Sequence, residues 1–198
     1  MMNSFENEEI GIRTRGQIQL ILGPMFSGKT TELLRRVKRY QVAKHSCLVI
    51  KYMLDKRYSS SQLVTHDHLS FEAVSSTSLK QFKSSLDCHS VVGIDEGQFF
   101  PDVVQFAEYA ANQGKIVIIA GLDGSYLRRP FPSFLELIPL SEKVEKLEAI
   151  CMKCYNPAAF TKRISSETDL VVIASSDKYM SVCRPCFFLT VRIPQEFC

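Results

Sequence analysis

Residues 17–30 read Gln-Ile-Gln-Leu-Ile-Leu-Gly-Pro-Met-Phe-Ser-Gly-Lys-Thr. Residues 17–22 alternate at first and then turn continuously apolar, which suits a strand entering a buried parallel sheet. Gly23, Pro24, Met25, Phe26, Ser27, Gly28, Lys29 and Thr30 then match the pattern G-x-x-x-x-G-K-[S/T] without a mismatch. From Thr31 to Lys44, Leu33, Leu34, Val37 and Tyr40 fall at helical spacing. A strand, a glycine-rich loop and a helix in this order form a phosphate-binding device. The glycines let several backbone N–H groups turn inward, and the helix adds its positive N-terminal dipole. Lys29 can reach the outer phosphates and the Thr30 hydroxyl can hold a magnesium ion. The alternative is a chance glycine turn before a helix, which leaves the lysine and threonine without a reason.

The totals bound the rest. The chain of 198 residues has room for one core plus a small appendage. A net charge of +3 is too small to argue for nucleic acid or membrane partners. No apolar run approaches the roughly 20 residues of a membrane span. Residues 1–15 are polar, read as a mobile tail and lack an apolar signal-peptide region. A cytoplasmic enzyme is the expectation. Arg35, Arg36, Lys38 and Arg39 interleave with the apolar positions of the first helix, and a solvated helix face is their simplest reading.

Further along, Cys47 to Lys51 reads as a second strand, with Cys47 as a small core residue. The polar segment from Asp55 to Ser61 follows its carboxyl end, the edge where open α/β sheets bind ligands. Asp55 and Arg57 could face the phosphates or stand in solvent. His66, Asp67 and His68 resemble a metal cluster, but alternate strand residues point to opposite faces and no further ligand lies nearby. A solvated hairpin or loop is preferred there. A short surface helix is expected over 78–85.

The strand Val91 to Ile94 ends in Asp95 and Glu96. Such a strand presents an aspartate that helps hold magnesium, a part that Asp95 fits. Glu96 is placed to take a proton from an attacking hydroxyl or water. The competing role is capping the helix expected from Pro101 to Ala111, with Gly114 as its left-handed end. Ile116 to Ala120 is a strand, followed by a glycine- and arginine-bearing loop over 121–132. Arg128 and Arg129 in that loop could stabilise charge in phosphoryl transfer or stand on the surface. Phe134 to Leu140 reads as a short buried helix, and Val144 to Ile150 leads into a cysteine pair.

Of seven cysteines, four form two Cys-x-x-Cys knuckles, Cys151/Cys154 and Cys183/Cys186, separated by 28 residues. Four thiolates in this pattern suit a closed, structural zinc site. The separation calls for a hairpin, with 169–174 as its strand-like core. A redox pair is the rival reading. A region of about 45 residues has little core of its own, so metal should supply much of its stability. The ribbon could touch nucleic acid through Lys162, Arg163, Lys178 and Arg184, or act as a lid over a small substrate.

Taken together, Gly23–Thr30, Asp55–Ser61, Ile94-Asp-Glu-Gly-Gln-Phe-Phe100 and the two knuckles resemble thymidine kinases of the cytosolic vertebrate, poxvirus and bacterial type. The resemblance covers roughly 15–192. It implies an α/β phosphate-loop (RecA-like) parallel sheet flanked by helices, with a small C-terminal zinc-binding lasso domain. The expected division is a tail over 1–15, a nucleotide-binding domain over 16–149, a lasso or lid over 150–192 and a tail over 193–198. The implied reaction moves the γ-phosphate of ATP to the 5′-hydroxyl of thymidine. It implies ATP, Mg2+ and structural Zn2+, with dTTP as feedback inhibitor, a homotetramer, and no nucleic-acid or membrane partner.

The resemblance also implies roles. Glu96 is the general base, and Thr30 and Asp95 place magnesium. Asp55, Arg57 and Gln98 join Lys29 on the ATP side, with Gln98 and Phe99 at the edge of the site. Tyr126 stacks on the base with Phe131 nearby, and Thr161 lies close to the thymine methyl. Leu170, Val171, Val172, Ile173 and Ala174, with Tyr179, form the lid and read the base edge through the main chain. Two features depart from the vertebrate pattern: Tyr126 stands for a phenylalanine, and Ala174-Ser-Ser stands where glycines are expected. Both bear on nucleoside selectivity. The absence of a long regulatory tail after the second knuckle makes a viral or bacterial source the expectation. The open alternatives are a phosphate-loop ATPase or kinase with another acceptor, and a zinc-ribbon nucleic-acid-binding module.

Overall fold

The computed structural model describes residues 16–53, 62–64, 70–165 and 178–189. The two expected tails, Asp55, Arg57, the His66-Asp67-His68 cluster and the Leu170–Ala174 lid segment lie outside the described residues.

Six strands form one sheet: β1 (Gln17–Gly23), β2 (Cys47–Tyr52), β5 (Val74–Ser76), β6 (Val91–Ile94), β7 (Ile116–Leu122) and β8 (Lys143–Lys146). Between β2 and β5 in the chain, β3 (Gln62–Val64) and β4 (Ser70–Glu72) pair as an antiparallel hairpin. The spatial order in the sheet is β5-β2-β6-β7-β1-β8, and every pairing is parallel. Their carboxyl ends therefore share one edge, and the phosphate loop leaves from there.

Both faces of the sheet are covered, which accounts for the near-continuous apolar strands. Period-two alternation sorts the side chains. Leu20, Ile94 and Ile119 face one layer, where Val103, Phe106 and Ala110 of helix α2 (Val103–Asn112) pack. Ile21, Val49 and Ile118 face the other, against Leu33, Leu34 and Val37 of helix α1 (Lys29–Val42). Phe134 of α3 (Pro132–Leu135) and Leu137 close the first layer, both fully buried.

Three local expectations change. The surface helix over 78–85 is instead two 3-10 turns, Lys80–Phe82 and Ser84–Asp87. Asp102 organises the first of them. Its carboxylate accepts from Leu79 N–H, Lys80 N–H and the Ser78 hydroxyl rather than capping its own helix. Burial raises the Asp102 carboxyl, but those donors outweigh it and hold it below its ordinary value. Second, Arg36 is not part of a solvated face. It is 4% exposed and donates to Glu32, to Gln19 of β1 and to Glu145 of β8, so it rivets helix to sheet. Third, residues 143–146 join the main sheet as a parallel edge strand beside β1.

After β8, β9 (Ala149–Ile150) pairs with β10 (Pro157–Ala158), and β11 (Phe160–Arg163) pairs with β12 (Tyr179–Val182). A short helix α4 (Arg184–Phe188) carries the second knuckle. A separate small core joins Ala149, Cys151, Ala158, Val182, Cys183 and Cys186.

Candidate active site and cysteine centre

The loop between β1 and α1 needs left-handed backbone twice, at Phe26 (φ 65) and at Gly28 (φ 80), the residue before α1. Glycine adopts that region without strain. The Lys29 ammonium is buried and donates to the Pro24 carbonyl at 2.6 Å, so its charge sits within the ring of the loop. Ser27 Oγ donates to the same carbonyl at 2.9 Å.

Asp95 follows β6 at the same sheet edge. The Thr30 hydroxyl lies 3.1 Å from each of its carboxylate oxygens. Asp95 is 7% exposed and its N–H donates to Ile50 O. This places a hydroxyl and a buried carboxylate side by side, hard oxygen donors of the kind magnesium takes. The donor set fits that ion.

Glu96 sits in the left-handed region at φ 54 and ψ 42. For a non-glycine residue this costs about 1–3 kcal/mol, and such positions concentrate at functional sites. Its carboxylate accepts from Gln98 Nε2 at 2.7 Å, while Gln98 Oε1 accepts from Leu122 N–H at 3.0 Å. Gln98 thus fixes Glu96 against β7. The arrangement needs Gly121: a Cβ there would stand 2.6 Å from Gln98 Oε1 and 2.4 Å from the Phe134 ring. The two acids do not act as caps of the following helix, whose first-turn neighbour is Asp102.

Phe99 packs against Phe131 at 6.2 Å and against Tyr52 at 5.3 Å, forming an aromatic wall beside the acids. Tyr52 was not singled out in the sequence; its position at the carboxyl end of β2 was the available signal.

On the lasso side, strand alternation divides β11. Phe160 and Lys162 face α4. Phe160 packs on Phe187, and Lys162 Nζ donates to the Phe187 and Leu189 carbonyls at 2.6 and 2.7 Å. Burial lowers the Lys162 ammonium below its ordinary value, with the nearby Lys153 charge acting the same way. Thr161 and Arg163 share the opposite face. Thr161 Oγ1, 6% exposed, accepts from Met25 N–H of the phosphate loop at 2.9 Å. Arg163 stacks its guanidinium 3.8 Å over the Tyr126 ring and donates to the Tyr179 hydroxyl. Tyr179 is 6% exposed. Arg128 stacks on Phe187 and Phe188, each at 4.7 Å, so its cation engages the lasso aromatics. Three of the four basic residues considered for nucleic acid, Lys162, Arg163 and Arg184, likewise meet aromatic rings of the chain itself.

Cys151, Cys154, Cys183 and Cys186 bring their sulfurs within 4.8 Å of one another. All four are free thiols. A tetrahedral zinc with bonds of about 2.3 Å spaces its sulfurs by about 3.8 Å, and Cys154 and Cys183 stand 3.4 Å apart. Burial pushes the Cys151 thiol up, but N–H groups of Cys183, Lys153 and Cys154 outweigh that and bring it down to about 6. Cys186 is pushed up to about 12 by burial and by the three neighbouring sulfurs. One sulfur that ionises readily beside another that resists is the result of negative charges crowded together. A dication among them removes that repulsion, so the donor set fits zinc and could hold it.

The chain is similar to known proteins over most of its length. The thymidine kinase family profile matches residues 16–187. The thymidine kinase of Vaccinia virus (strain Western Reserve) is 56% identical over 172 residues, covering 87% of this chain and 97% of that protein. The cytosolic thymidine kinase of Homo sapiens is 56% identical over 176 residues, covering 89% of this chain and 75% of that protein. The Raccoon poxvirus thymidine kinase is 55% identical over 172 residues.

Proposed function

Because the chain belongs to the thymidine kinase family, and is thus a phosphotransferase that uses ATP and takes thymidine as substrate, we propose that Glu96 is the base that receives the 5′-hydroxyl proton. The observation that carries this reading is the pinning of the Glu96 carboxylate by Gln98, one residue from the Asp95–Thr30 contact of the phosphate loop. A carboxylate fixed beside the donor phosphates can take the proton as the hydroxyl attacks in line. Little covalent help is required, so positioning and charge stabilisation dominate.

In this reading the backbone N–H groups of Gly23–Thr30 cradle the ATP phosphates. Lys29 leaves its contact with Pro24 O for a phosphate oxygen, where its charge is better compensated. Thr30 and Asp95 would hold Mg2+, which would offset negative charge on the phosphates. Asp55 and Arg57 complete the donor side. Thymidine lies between the aromatic wall of Phe99 and Phe131 and the lasso. Tyr126 stacks on its base, Thr161 lies near its methyl, and Leu170–Ala174 with Tyr179 close over it. The cysteine centre holds Zn2+ and fixes the lasso, a unit of about 150–192 distinct from the nucleotide-binding part at 16–149; the separate small core supports that division. dTTP, which joins a thymine nucleoside to a triphosphate, would span both subsites and act as a feedback inhibitor. A homotetramer in the cytoplasm, from a viral source, completes the proposal. Among the described residues no helix is long and apolar enough to cross a membrane.

The test is ADP release from ATP with and without thymidine. Release that depends on thymidine supports the acceptor. Equal release without nucleoside would instead assign an ATPase.

A further inference from the structure

Arg163 has no part in the chemistry derived above, yet it makes the closest cation–aromatic contact among the described residues. It stands opposite Tyr179 in the β11–β12 register, so the two side chains leave the hairpin on the same face. Its guanidinium donates to the Tyr179 hydroxyl and lies 3.8 Å from the centre of the Tyr126 ring. Those tyrosines come from different parts of the molecule. Tyr126 belongs to the loop after β7, and Tyr179 begins β12 of the lasso. A planar cation can stack on one ring while donating in its own plane to another group, and a lysine cannot do both. Thr161, two residues earlier on the same face, meets the phosphate loop at Met25 N–H. One face of a four-residue strand therefore touches the phosphate loop, the β7 loop and the second lasso strand.

We propose that Arg163 is a positioning residue for the nucleoside: it clamps Tyr126 and Tyr179 at a fixed separation and so sets the width of the acceptor pocket. This rests on the reading of Tyr126 and Tyr179 as walls of that pocket. Arg163 acts through the two tyrosines, so its removal weakens acceptor binding and leaves the ATP subsite alone.

The experiment is steady-state kinetics on wild type, Arg163→Gln, Arg163→Lys, Tyr179→Phe and the Arg163→Gln/Tyr179→Phe double variant. Melting temperature and zinc content are measured on each. Arg163→Gln is expected to raise the thymidine KM about tenfold and to leave the ATP KM within about twofold. Arg163→Lys, which keeps the donor and loses the planar stack, falls between. Tyr179→Phe raises the thymidine KM about threefold in the wild-type background and adds nothing to Arg163→Gln, because both remove the same contact. An unchanged thymidine KM in Arg163→Gln overturns the proposal. So does a parallel rise in both KM values, or a double variant whose effects multiply. If Arg163→Gln does not fold, Arg163→Lys decides alone: a thymidine KM raised about threefold with the ATP KM within about twofold supports the clamp, and an unchanged thymidine KM or a parallel rise in both overturns it. Wild-type protein without thymidine-dependent ADP release overturns the acceptor reading and this proposal with it; a normal wild type beside an unaltered Arg163→Gln overturns this proposal alone.

Discussion

Replacing Thr161 with valine tests how firmly the lasso is tied to the phosphate loop. Valine keeps the branched shape, so no cavity forms, but it removes the hydroxyl that accepts from Met25 N–H at 2.9 Å. Both partners are buried, Thr161 at 6% and Met25 at 9% exposure, so water does not readily replace the lost acceptor. Leaving a buried donor without its partner costs about 1–3 kcal/mol. For a protein of this size each kcal/mol lowers Tm by roughly 2–4 °C, so a drop of about 2–12 °C is expected. Thr161→Ser keeps the hydroxyl and loses one methyl, which costs about 1 kcal/mol. Thermal and urea unfolding of the three proteins should rank wild type, Ser, Val in falling stability. ATP affinity should fall in Val, because the loop that cradles phosphate loses an anchor. A Val variant as stable as wild type, or a Ser variant as damaged as Val, refutes the reasoning.

The cysteine centre should yield one zinc per chain by elemental analysis, and Cys154→Ser or Cys186→Ser should lower that ratio and the melting temperature together; a wild-type protein free of zinc and fully stable contradicts the site. Arg36→Met takes the buried donor from Gln19 Oε1 and one of two cations from each acid, leaving Glu32 with Arg35 and Glu145 with Lys143. Glu145 is 38% exposed, so the cost should lie below the 3–5 kcal/mol of a fully buried pair, at about 2 kcal/mol by urea unfolding. In acid, Glu32 gives a signed expectation. Hydrogen bonding from Arg35, with burial opposing and Arg36 assisting, lowers its carboxyl from 4.5 to about 2. Its folded value lies below the unfolded one, so its stabilising share is present above about pH 4.5 and is lost as pH falls toward 2. Glu32→Gln should therefore flatten the acid limb of the stability profile over that window, and an unchanged limb counts against the ion pair.

Much of this architecture was legible because its signals are local. Strand, loop and helix over 17–44 lie in one run, and Asp95 with Glu96 end a strand that only a sheet interior accommodates. The knuckles declare themselves by spacing. What escaped depends on partners far along the chain. Thr161 and Met25 are 136 residues apart, and Arg36 meets Gln19 and Glu145 at separations of 17 and 109. Helical spacing sets Arg36 three residues after Leu33 and four before Tyr40, at the margin of the apolar face, but its partners there, Gln19 of β1 and Glu145 of β8, come from strands that the spacing does not reveal. Asp102 sits where a helix cap would, yet its carboxylate serves the turn at Ser78, Leu79 and Lys80, 22 to 24 residues back. Arg163 and Tyr52 carry no motif. Their positions follow from the hairpin register and from the shared carboxyl edge of the sheet.

In the proposed mechanism Glu96, held by Gln98, takes the acceptor proton. Glu96→Gln keeps the size of the side chain and an oxygen for the Gln98 contact, and removes the basic carboxylate. Thymidine-dependent ADP release should fall by about 10²–10⁴-fold, the usual contribution of a general base, while ATP affinity stays within about twofold. A variant that retains the full wild-type rate at saturating thymidine and ATP contradicts the account.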